Sequence, residues 1–456
     1  MTPSVWILDG AGLPGLLPTL PTLGAASAYH ALLPILAVLG IAFLVSLIMT
    51  PVMRRLALAG GIVDWPDAKR KAHAKPVAYL GGLAIFLGWL AGVGYFIWML
   101  APDIFGAALE LPEGVPEFPR QGFPLSIVLG AVAILLTGLF DDIYGISARV
   151  KVGGQLFAAA AIAMEDVGMN LTIESFKLIG MADILPPSAA YWLGTAAIAG
   201  LIIGGCNALN LIDGLDGLAS GVTGIAAIGL AAIAVLFITT SGYIDAMPRG
   251  VIPLVICLAM LGGVLGFLPY NFNPASIFMG DTGSLLLGYL TVTAILMFGD
   301  CRGWAPMMFS AGIVCFALPI TDTALSIVRR KLQGKPIFAP DAMHIHHMFR
   351  RSGLSVKQAV FAMYSIAFVF AALGVTTTAL RLPWKLAMGL FIALVALIMA
   401  VGYRTSCKLR ADEKTAASPI EAPAPGEEHG AHGVEPPTLG SAADPDATPT
   451  PTPPSQ

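Results

Sequence analysis

Four short polar clusters interrupt the long apolar stretches of the 456-residue chain, and they hold the side chains best suited to chemistry. They are the pair Asp141 and Asp142; the series Asn207, Asn210, Asp213 and Asp216; Asp281 in the sequence GDTGS; and His344, His346 and His347 in HIHH. Carboxylate and amide oxygens suit a hard cation such as Mg²⁺. Imidazoles beside Arg350 and Arg351 suit an anionic group such as a phosphate. Together the clusters favour phosphoryl transfer, in which catalysis is mostly positioning and charge stabilisation.

Each cluster also has a purely structural interpretation. Adjacent acids after an apolar span can be solvated loop charges, and Asp-Gly or Gly-Asp-Thr-Gly sequences form ordinary turns. The second cluster argues against a simple turn, because its polar residues recur every three positions and would share one face of a helical turn. HIHH has no neighbouring cysteine for a structural zinc site, and the chain contains no Walker A loop.

The remainder of the chain is rich in apolar residues. It is 56% hydrophobic and 12% charged, with a mean hydropathy of +0.80, whereas soluble domains carry about 25% charge. Apolar runs long enough to cross a bilayer recur throughout, so we predict an all-α, polytopic integral membrane protein with about 11 transmembrane helices. The predicted spans lie near residues 31–52, 79–101, 123–140, 152–164, 188–206, 218–239, 250–269, 285–298, 306–327, 359–380 and 385–403.

The basic residues predict the orientation. Most of them fall in the loops after odd-numbered spans and just after the last span, and the positive-inside rule places such loops in the cytoplasm. We therefore expect an extracytoplasmic N-terminal segment over residues 1–30, a transmembrane catalytic domain over 31–403 and a cytoplasmic tail over 404–456. The tail is rich in proline and poor in large apolar side chains, which predicts disorder from about residue 411. All four polar clusters would then meet at the cytoplasmic face.

Five sequence segments, in order along the chain, carry a family resemblance. They are GGIVDWPDAKRKAHAKPVAYLGGLAIF, FDDIYGIS, NALNLIDGLDGL, FMGDTGS and HIHH. With them the chain resembles the polyprenyl-phosphate N-acetylhexosamine-1-phosphate transferases, membrane enzymes that move a sugar-1-phosphate from a UDP-sugar onto a lipid phosphate. The resemblance covers about residues 31 to 403, although Ala78 stands where proline is common. HIHH is similar to the branch that uses UDP-N-acetylglucosamine, whereas the peptidoglycan branch more typically has three consecutive histidines.

The resemblance implies a Mg²⁺-dependent enzyme, with Mn²⁺ as a candidate substitute, and assigns roles to the clusters. The implied metal ligands are Asp281, Asn210 and Asp142. The implied catalytic residues are Asp141, Asp142, Asp213, Asp216, His344, His346 and His347. The implied substrate-binding residues are Asn207, Asn210, Lys75, Lys151 and Arg350. In this scheme Asp141 or Asp142 deprotonates the lipid phosphate, and the histidines contact the diphosphate or sugar.

The implied reaction transfers N-acetylglucosamine-1-phosphate, or a related sugar phosphate, from a UDP-sugar to undecaprenyl phosphate. The products are a polyprenyl-diphosphate-sugar, which starts a cell-envelope polysaccharide such as a lipopolysaccharide, and UMP. The residues leave open a direct attack by the lipid phosphate or a two-step route through an aspartyl-phosphate. The implied location is the bacterial inner membrane, with the active site on the cytoplasmic face.

Alternative functions also remain at this point. The same chemistry could use another UDP-N-acetylhexosamine or the UDP-muramoyl-pentapeptide donor. A secondary transporter is disfavoured, because transporters place their ion-binding carboxylates near the bilayer midplane. The net charge of −3 gives no overall field for nucleic acid, and the sequence leaves a homodimer open.

Overall fold

The computed structural model describes residues 32–65, 76–109, 122–165, 167–178, 186–241, 246–301, 303–334 and 344–416, and these residues are almost entirely helical. The first part consists of α1 (Leu36–Ala59), a two-stranded hairpin of β1 (Val63–Asp64) and β2 (Val77–Ala78), α2 (Gly81–Tyr95), α3 (Ala101–Leu109), α4 (Leu125–Tyr144), α5 (Ala148–Ala163) and α6 (Val167–Leu178). The second part consists of α7 (Pro187–Ile212), α8 (Leu218–Thr240), α9 (Ala246–Asn271), α10 (Gly280–Met297), α11 (Ala305–Cys315), α12 (Ala317–Leu332), α13 (Ile345–Arg351), α14 (Val356–Ala379) and α15 (Trp384–Ala416).

The long apolar helices confirm a polytopic all-α membrane protein. Within the described residues, eight helical segments are long and apolar enough to cross a membrane. The pair α11 and α12, bent by 67°, makes a ninth if it forms one span. Helix α5 has 16 residues, and the apolar part of α15 covers only Met388–Val401. All eleven predicted spans fall on helices, but the count of eleven and the orientation remain predictions.

Helix α10 lies at the centre of the bundle. Its whole apolar window is buried inside the protein, and it packs against α4 and α7 as well as α9 and α2. Because protein rather than lipid surrounds it, α10 tolerates buried polar side chains that bond to the helix itself. Thr291, for example, donates its hydroxyl hydrogen to the carbonyl of Leu287 at 2.7 Å. The helix at the centre of the molecule thus carries Asp281 in its first turn.

The hairpin ties the chain before α2 to the loop before α10. Strand β1 pairs antiparallel with β2, and Ala78 of β2 forms a parallel bridge with Ile277. The backbone amide of Phe278 donates to the carbonyl of Ala78 at 2.8 Å. This pairing fixes the segment that leads into Gly280 and Asp281, although neither strand is part of a larger sheet in the described chain.

Both ends of the chain lie outside the described residues. The predicted extracytoplasmic segment over residues 1–30 lies outside the described residues. Helix α15 continues to Ala416, past the residue near which disorder is predicted, and the rest of the tail is also outside the described residues. The described residues up to Leu409 form one compact unit, and the boundary with a second unit falls at Arg410.

Candidate active site

The four predicted clusters converge on one cavity of about 740 Å³. It is lined by the C-terminal end of α4, the α7–α8 connection, the start of α10, and one side of α13. The predicted residues that line it are Asp141, Asp142, Asn210, Asp213, Asp216, Asp281, His347 and Arg350. Residues as far apart in sequence as Asp141 and Arg350 thus share one space, which the sequence predicted from their common side of the membrane.

Asp142 caps the central helix from outside. Its two carboxylate oxygens accept hydrogen bonds from the backbone amides of Asp281 at 2.8 Å and Thr282 at 3.0 Å. One of them also accepts a hydrogen bond from the Thr282 hydroxyl at 2.5 Å. The first amides of a helix have no partner within the helix, and they attract negative charge. Asp142 therefore holds the first turn of α10 in place and, with it, the position of Asp281.

Two glycines make this approach of α4 and α10 possible. A side chain at Gly138 of α4 would overlap the backbone of Thr282, since a Cβ there would lie 2.5 Å from the Thr282 nitrogen. Gly280 has a φ of +66°, and its Cβ would lie 2.4 Å from an oxygen of Asp142. Only glycine fits both the left-handed backbone and the contact. The first glycine of the sequence GDTGS, Gly280, is thus required for Asp142 to cap α10.

Lys151 of α5 links the carboxylates of α4 and α10. Its ammonium lies 2.7 Å from Oδ2 of Asp141 and 2.5 Å from Oδ2 of Asp281. The side-chain amide of Asn210 donates to the other oxygen of Asp281 at 2.8 Å and to Ser284 at 2.9 Å. The predicted principal metal ligand therefore has one cationic and one amide partner and also faces the cavity.

The connection between α7 and α8 supplies the other carboxylates. Asp213 lines the cavity, and burial, with the negative charges of Asp281, Asp142 and Asp216, raises its pKa to about 8. Asp216 accepts hydrogen bonds from the side-chain amide of Asn273 and the backbone amide of Ala275, both at 2.9 Å. Asp213 thus remains available to the cavity, whereas Asp216 ties the connection to the segment before α10.

One of the predicted substrate-binding residues, Asn207, is not brought into this group. Asn207 turns toward α5, where its amide donates to Gln155 at 3.1 Å and to the carbonyl of Ile203 at 2.8 Å. Asn207 and Asn210 lie one turn apart on α7, but α7 ends at Ile212, before Asp213 and Asp216. The four residues therefore do not share one helical face as predicted. Lys75 lies outside the described residues. Arg350 lines the cavity and donates to the carbonyl of Leu354 at 2.7 Å.

The three histidines have different environments. His347 lines the cavity. His344 is buried, and its Nδ1 lies 2.8 Å from Oδ2 of Asp322. His346 is 1% exposed beside Gly214, its ring nitrogens have no hydrogen-bond partner in the described structure, and burial lowers its pKa to about 3. The HIHH segment therefore presents one imidazole to the cavity and packs two behind it.

The polar side chains at or behind the cavity that sequence reasoning missed include Asp64, Tyr79 and Asp322. Asp64 and Tyr79 line the cavity from the hairpin. Burial, followed by the charge of Asp64, raises the pKa of Tyr79. Asp322 is 1% exposed and is the only acidic residue within any of the eleven predicted spans. Its position in the sequence could have identified Asp322 as a functional candidate, because a carboxylate inside an apolar span is costly and usually has a function.

The donor set is suited to a hard divalent cation. Asp281, Asp141, Asp213 and Asn210 bring carboxylate and amide oxygens to one cavity, which is the ligand chemistry that Mg²⁺ prefers. Among the described residues, no three carboxylate, imidazole or thiol side chains already form a metal-binding group. The ammonium of Lys151 occupies the position between Asp141 and Asp281. The residues thus fit a metal by chemistry, and a bound cation would compete with Lys151 for the two carboxylates.

Comparison with known proteins assigns this architecture to a family of enzymes. Residues 124–299 match the model of glycosyl transferase family 4, a range that includes α4, α7, α10 and the cavity carboxylates from Asp141 to Asp281. The chain belongs to this family, because it also aligns over most of its length with curated members at more than 30% identity. The predicted family resemblance is therefore confirmed.

Three relatives illustrate the range of the family. A probable undecaprenyl-phosphate N-acetylglucosaminyl 1-phosphate transferase of Bacillus subtilis is 36% identical over 341 residues, which cover 73% of this chain and 82% of the relative. A decaprenyl-phosphate N-acetylglucosaminephosphotransferase of Mycolicibacterium smegmatis is 32% identical, covering 78% and 85% of the two chains. A phospho-N-acetylmuramoyl-pentapeptide-transferase of Bacillus cytotoxicus is 29% identical, covering 74% and 95%.

Proposed function

We propose that this protein transfers N-acetylglucosamine-1-phosphate from UDP-N-acetylglucosamine to undecaprenyl phosphate. The products are undecaprenyl-diphosphate-N-acetylglucosamine and UMP, and the reaction starts a cell-envelope polysaccharide. The observation that carries the proposal is the single cavity in which the carboxylates of α4, the α7–α8 connection and α10 face His347 and Arg350 of α13. Membership of a phosphotransferase family supports the same reaction class.

The names of the relatives support N-acetylglucosamine as the sugar of the donor. Two of the relatives are named for N-acetylglucosamine phosphate transfer and have more identity to this chain than the muramoyl-pentapeptide transferase. The second candidate is the same reaction with UDP-muramoyl-pentapeptide or another UDP-N-acetylhexosamine, and the third relative favours it. Nothing in the comparisons favours a transporter.

We propose Mg²⁺ as the cofactor, with Mn²⁺ as a substitute. Asp281 would be the principal ligand, assisted by Asn210, which donates to it, and by Asp141, which shares the Lys151 ammonium with it. When bound, the metal would neutralise charge on the diphosphate. The predicted ligand Asp142 is better suited to positioning, because both of its oxygens already accept hydrogen bonds from the first turn of α10.

The side chains divide the remaining tasks. The lipid phosphate must lose its proton before an oxygen of that phosphate bonds to the β-phosphorus of the UDP-sugar, breaking the bond to UMP. Asp141 suits the role of base, because it lines the cavity and its partner is a side chain that can move. Lys151, His347 and Arg350 would hold the phosphates, since cationic and imidazole donors stabilise transferring phosphoryl oxygens.

The protein's arrangement in the membrane is also part of the proposal. We propose eleven spans in the bacterial inner membrane, with the N-terminus outside and the cavity on the cytoplasmic face. The bias of the basic residues supports this orientation, as does the meeting of four clusters predicted to share one face. UDP-sugars are soluble and cytoplasmic, whereas the acceptor is a lipid, so a cavity at the membrane surface gives both substrates access.

A donor panel tests the proposal. The purified full-length protein would be incubated with undecaprenyl phosphate, Mg²⁺ and one of three donors: UDP-N-acetylglucosamine, UDP-N-acetylgalactosamine or UDP-muramoyl-pentapeptide. The lipid product and UMP would both be measured. We expect both products with UDP-N-acetylglucosamine and little of either with the other two. Turnover with another donor alone would replace the donor but keep the reaction class, and a folded protein that turns over none would overturn the proposal.

A further inference from the structure

The bend between α11 and α12 places a carboxylate behind the histidine segment. Asp322 lies one and a half turns into α12, inside the ninth predicted span, and it is 1% exposed. A buried carboxylate without partners is strongly unfavourable, so its partners indicate what the residue is for. None of the roles proposed above uses Asp322.

Both oxygens of Asp322 bond to the start of α13. Oδ1 accepts the backbone amide of Ile345 at 2.8 Å, and Oδ2 lies 2.8 Å from Nδ1 of His344. His344 is the N-cap residue of α13, and its own side chain does not cap the helix. One carboxylate on α12 therefore fixes both the backbone and the first imidazole of HIHH.

This contact also fixes the protonation pattern of His344. A carboxylate only accepts hydrogen bonds, so Nδ1 of His344 carries the hydrogen that it donates to Asp322. The hydroxyl of Ser326 lies 3.3 Å from the same Nδ1, and Arg329 donates to that hydroxyl at 3.2 Å. All four side chains of this network are buried. They belong to the interior and not to the cavity wall.

The anchored segment carries the cavity-facing imidazole three residues later. The rings of His344 and His346 stack with centroids 5.8 Å apart, and the ring of His347 lies 4.2 Å from that of His346. His347 and Arg350 then line the cavity. A shift at Asp322 would therefore pass through α13 to both of these side chains.

We propose that Asp322 is a positioning residue that sets His347 and Arg350 through the Nδ1 atom of His344. His344 in turn acts as an anchor and not as a contact to the substrate. This inference rests on the proposed function, because it assigns a task within the same site. It differs from the role that the family resemblance implies for His344.

Two substitutions of His344 separate the anchor from a substrate contact. The side-chain nitrogen of asparagine takes nearly the position of Nδ1, so His344→Asn can still donate to Asp322. The nitrogen of glutamine takes nearly the position of Nε2, so His344→Gln loses the anchor and keeps a donor on the other side. An anchor predicts that asparagine is the better replacement, and a substrate contact through Nε2 predicts glutamine.

Steady-state kinetics of the purified full-length variants give the test, with UDP-N-acetylglucosamine, undecaprenyl phosphate and Mg²⁺. We expect His344→Asn to keep kcat within about 3-fold of the unmodified protein, and His344→Gln and Asp322→Asn to lower it at least 10-fold. KM for the donor should change less than 3-fold in all three, because the misplaced groups act on the reacting phosphates. Asp300→Asn is the matched control, since Asp300 is a buried aspartate at the other end of α10.

A second measurement is independent of turnover. Thermal unfolding of Asp322→Asn, His344→Gln and the double variant should be non-additive, because each substitution removes the same contact. Additive unfolding effects, glutamine better than asparagine at position 344, or unchanged kcat in both His344→Gln and Asp322→Asn would each overturn the inference. If Asp322→Asn does not fold, the two His344 variants decide. A wild-type protein that turns over no donor would overturn the proposed function, whereas the unfolding cycle would still report on the anchor.

Discussion

The two ends of α10 each carry an aspartate, but their surroundings differ. Asp281, in the first turn, faces the cavity and is bonded to Lys151 and Asn210. Asp300 lies just past the last turn and is buried, where its side chain accepts the amide of Asn170 at 3.2 Å and its carbonyl accepts Arg249 at 3.0 Å. One helix thus has a carboxylate open to a cavity and another enclosed by neighbouring side chains.

The helix itself treats the two charges in opposite ways. The N-terminus of a helix favours negative charge and its C-terminus disfavours it, typically by 0.3–1 kcal/mol. Asp281 therefore lies where the helix stabilises its charge, and its carboxylate can exchange the Lys151 ammonium for a bound cation. Asp300 lies where the helix does not, and it depends on its donors. The comparison indicates a ligand-binding role at one end and a structural role at the other.

The largest expected effect is the loss of turnover in Asp281→Asn. The substitution keeps the shape of the side chain and removes its charge, so we expect kcat to fall by about 10³-fold. Asp300→Asn should stay within a few-fold of the unmodified protein. UMP release by both purified variants measures the difference, with size-exclusion chromatography to verify folding. Equal losses in the two variants would remove the functional distinction between the ends of α10.

Lys151 is the next position at which the comparison can be tested. Lys151→Met keeps the unbranched side chain apart from its terminal ammonium, and so leaves Asp141 and Asp281 without their shared cation. Truncating one partner of a partly buried ion pair leaves uncompensated charge, and we expect kcat to fall by about 10²-fold. Lys177→Met, at the end of α6, is the control. If the loss is due to charge repulsion alone, raising the Mg²⁺ concentration should restore part of the activity of Lys151→Met.

Gly280→Ala tests the cap that positions Asp281. The added Cβ meets an oxygen of Asp142 in a left-handed backbone conformation, which alone costs about 1–2 kcal/mol. We expect about a 10-fold loss of kcat and a lower unfolding temperature, both measured in detergent solution. Gly153→Ala, on α5, is the control, because a Cβ there meets nothing within 4 Å. Wild-type activity in Gly280→Ala would mean that the cap does not control the site.

Much of this arrangement could be predicted from the sequence, because hydropathy and motif spacing are local properties. The apolar runs predicted where helices lie, and the shared side of the membrane predicted that distant clusters meet. The partners of each carboxylate could not be predicted. Asp141 and Asp142 are adjacent, yet one bonds a lysine and the other caps a helix, since the closeness of α4 to α10 depends on Gly138 and Gly280.

The histidine segment shows the same limit. The pattern HIHH predicted three imidazoles available to a phosphate, but only the packing of α13 against α12 distinguishes His347 from the two buried rings. The span predicted near residues 285–298 begins too late, since α10 begins at Gly280. A helix surrounded by protein needs no apolar surface for lipid, so its polar first turn carried no hydropathy signal.

The buried histidine predicts an acid-sensitive fold. The pKa of His346 is lowered to about 3, so the folded protein does not take up the proton that the unfolded chain binds near pH 6.5. Stability is therefore complete above pH 6.5 and falls as the pH is lowered toward 3. Between pH 7 and pH 5 we expect the unmodified protein to lose about 2 kcal/mol of unfolding free energy that His346→Leu does not lose. Denaturant titrations at both pH values measure it, and His347→Leu, at the cavity, is the control.

Asp213 predicts a smaller effect of the opposite sign at the carboxylate end of the site. Its pKa is raised to about 8, so the folded protein holds a proton that the unfolded chain releases near pH 3.8. This contribution to stability is complete below pH 3.8 and is lost as the pH rises through 8. Because the side chain also faces the cavity, we expect only about 1 kcal/mol between pH 6 and pH 8, measured in EDTA. Asp213→Asn has no proton to release at this position, so its unfolding free energy should not show this decline. If the unfolding free energies of the unmodified protein and Asp213→Asn fall equally between pH 6 and pH 8, the proton is held by another member of the cluster around Asp281.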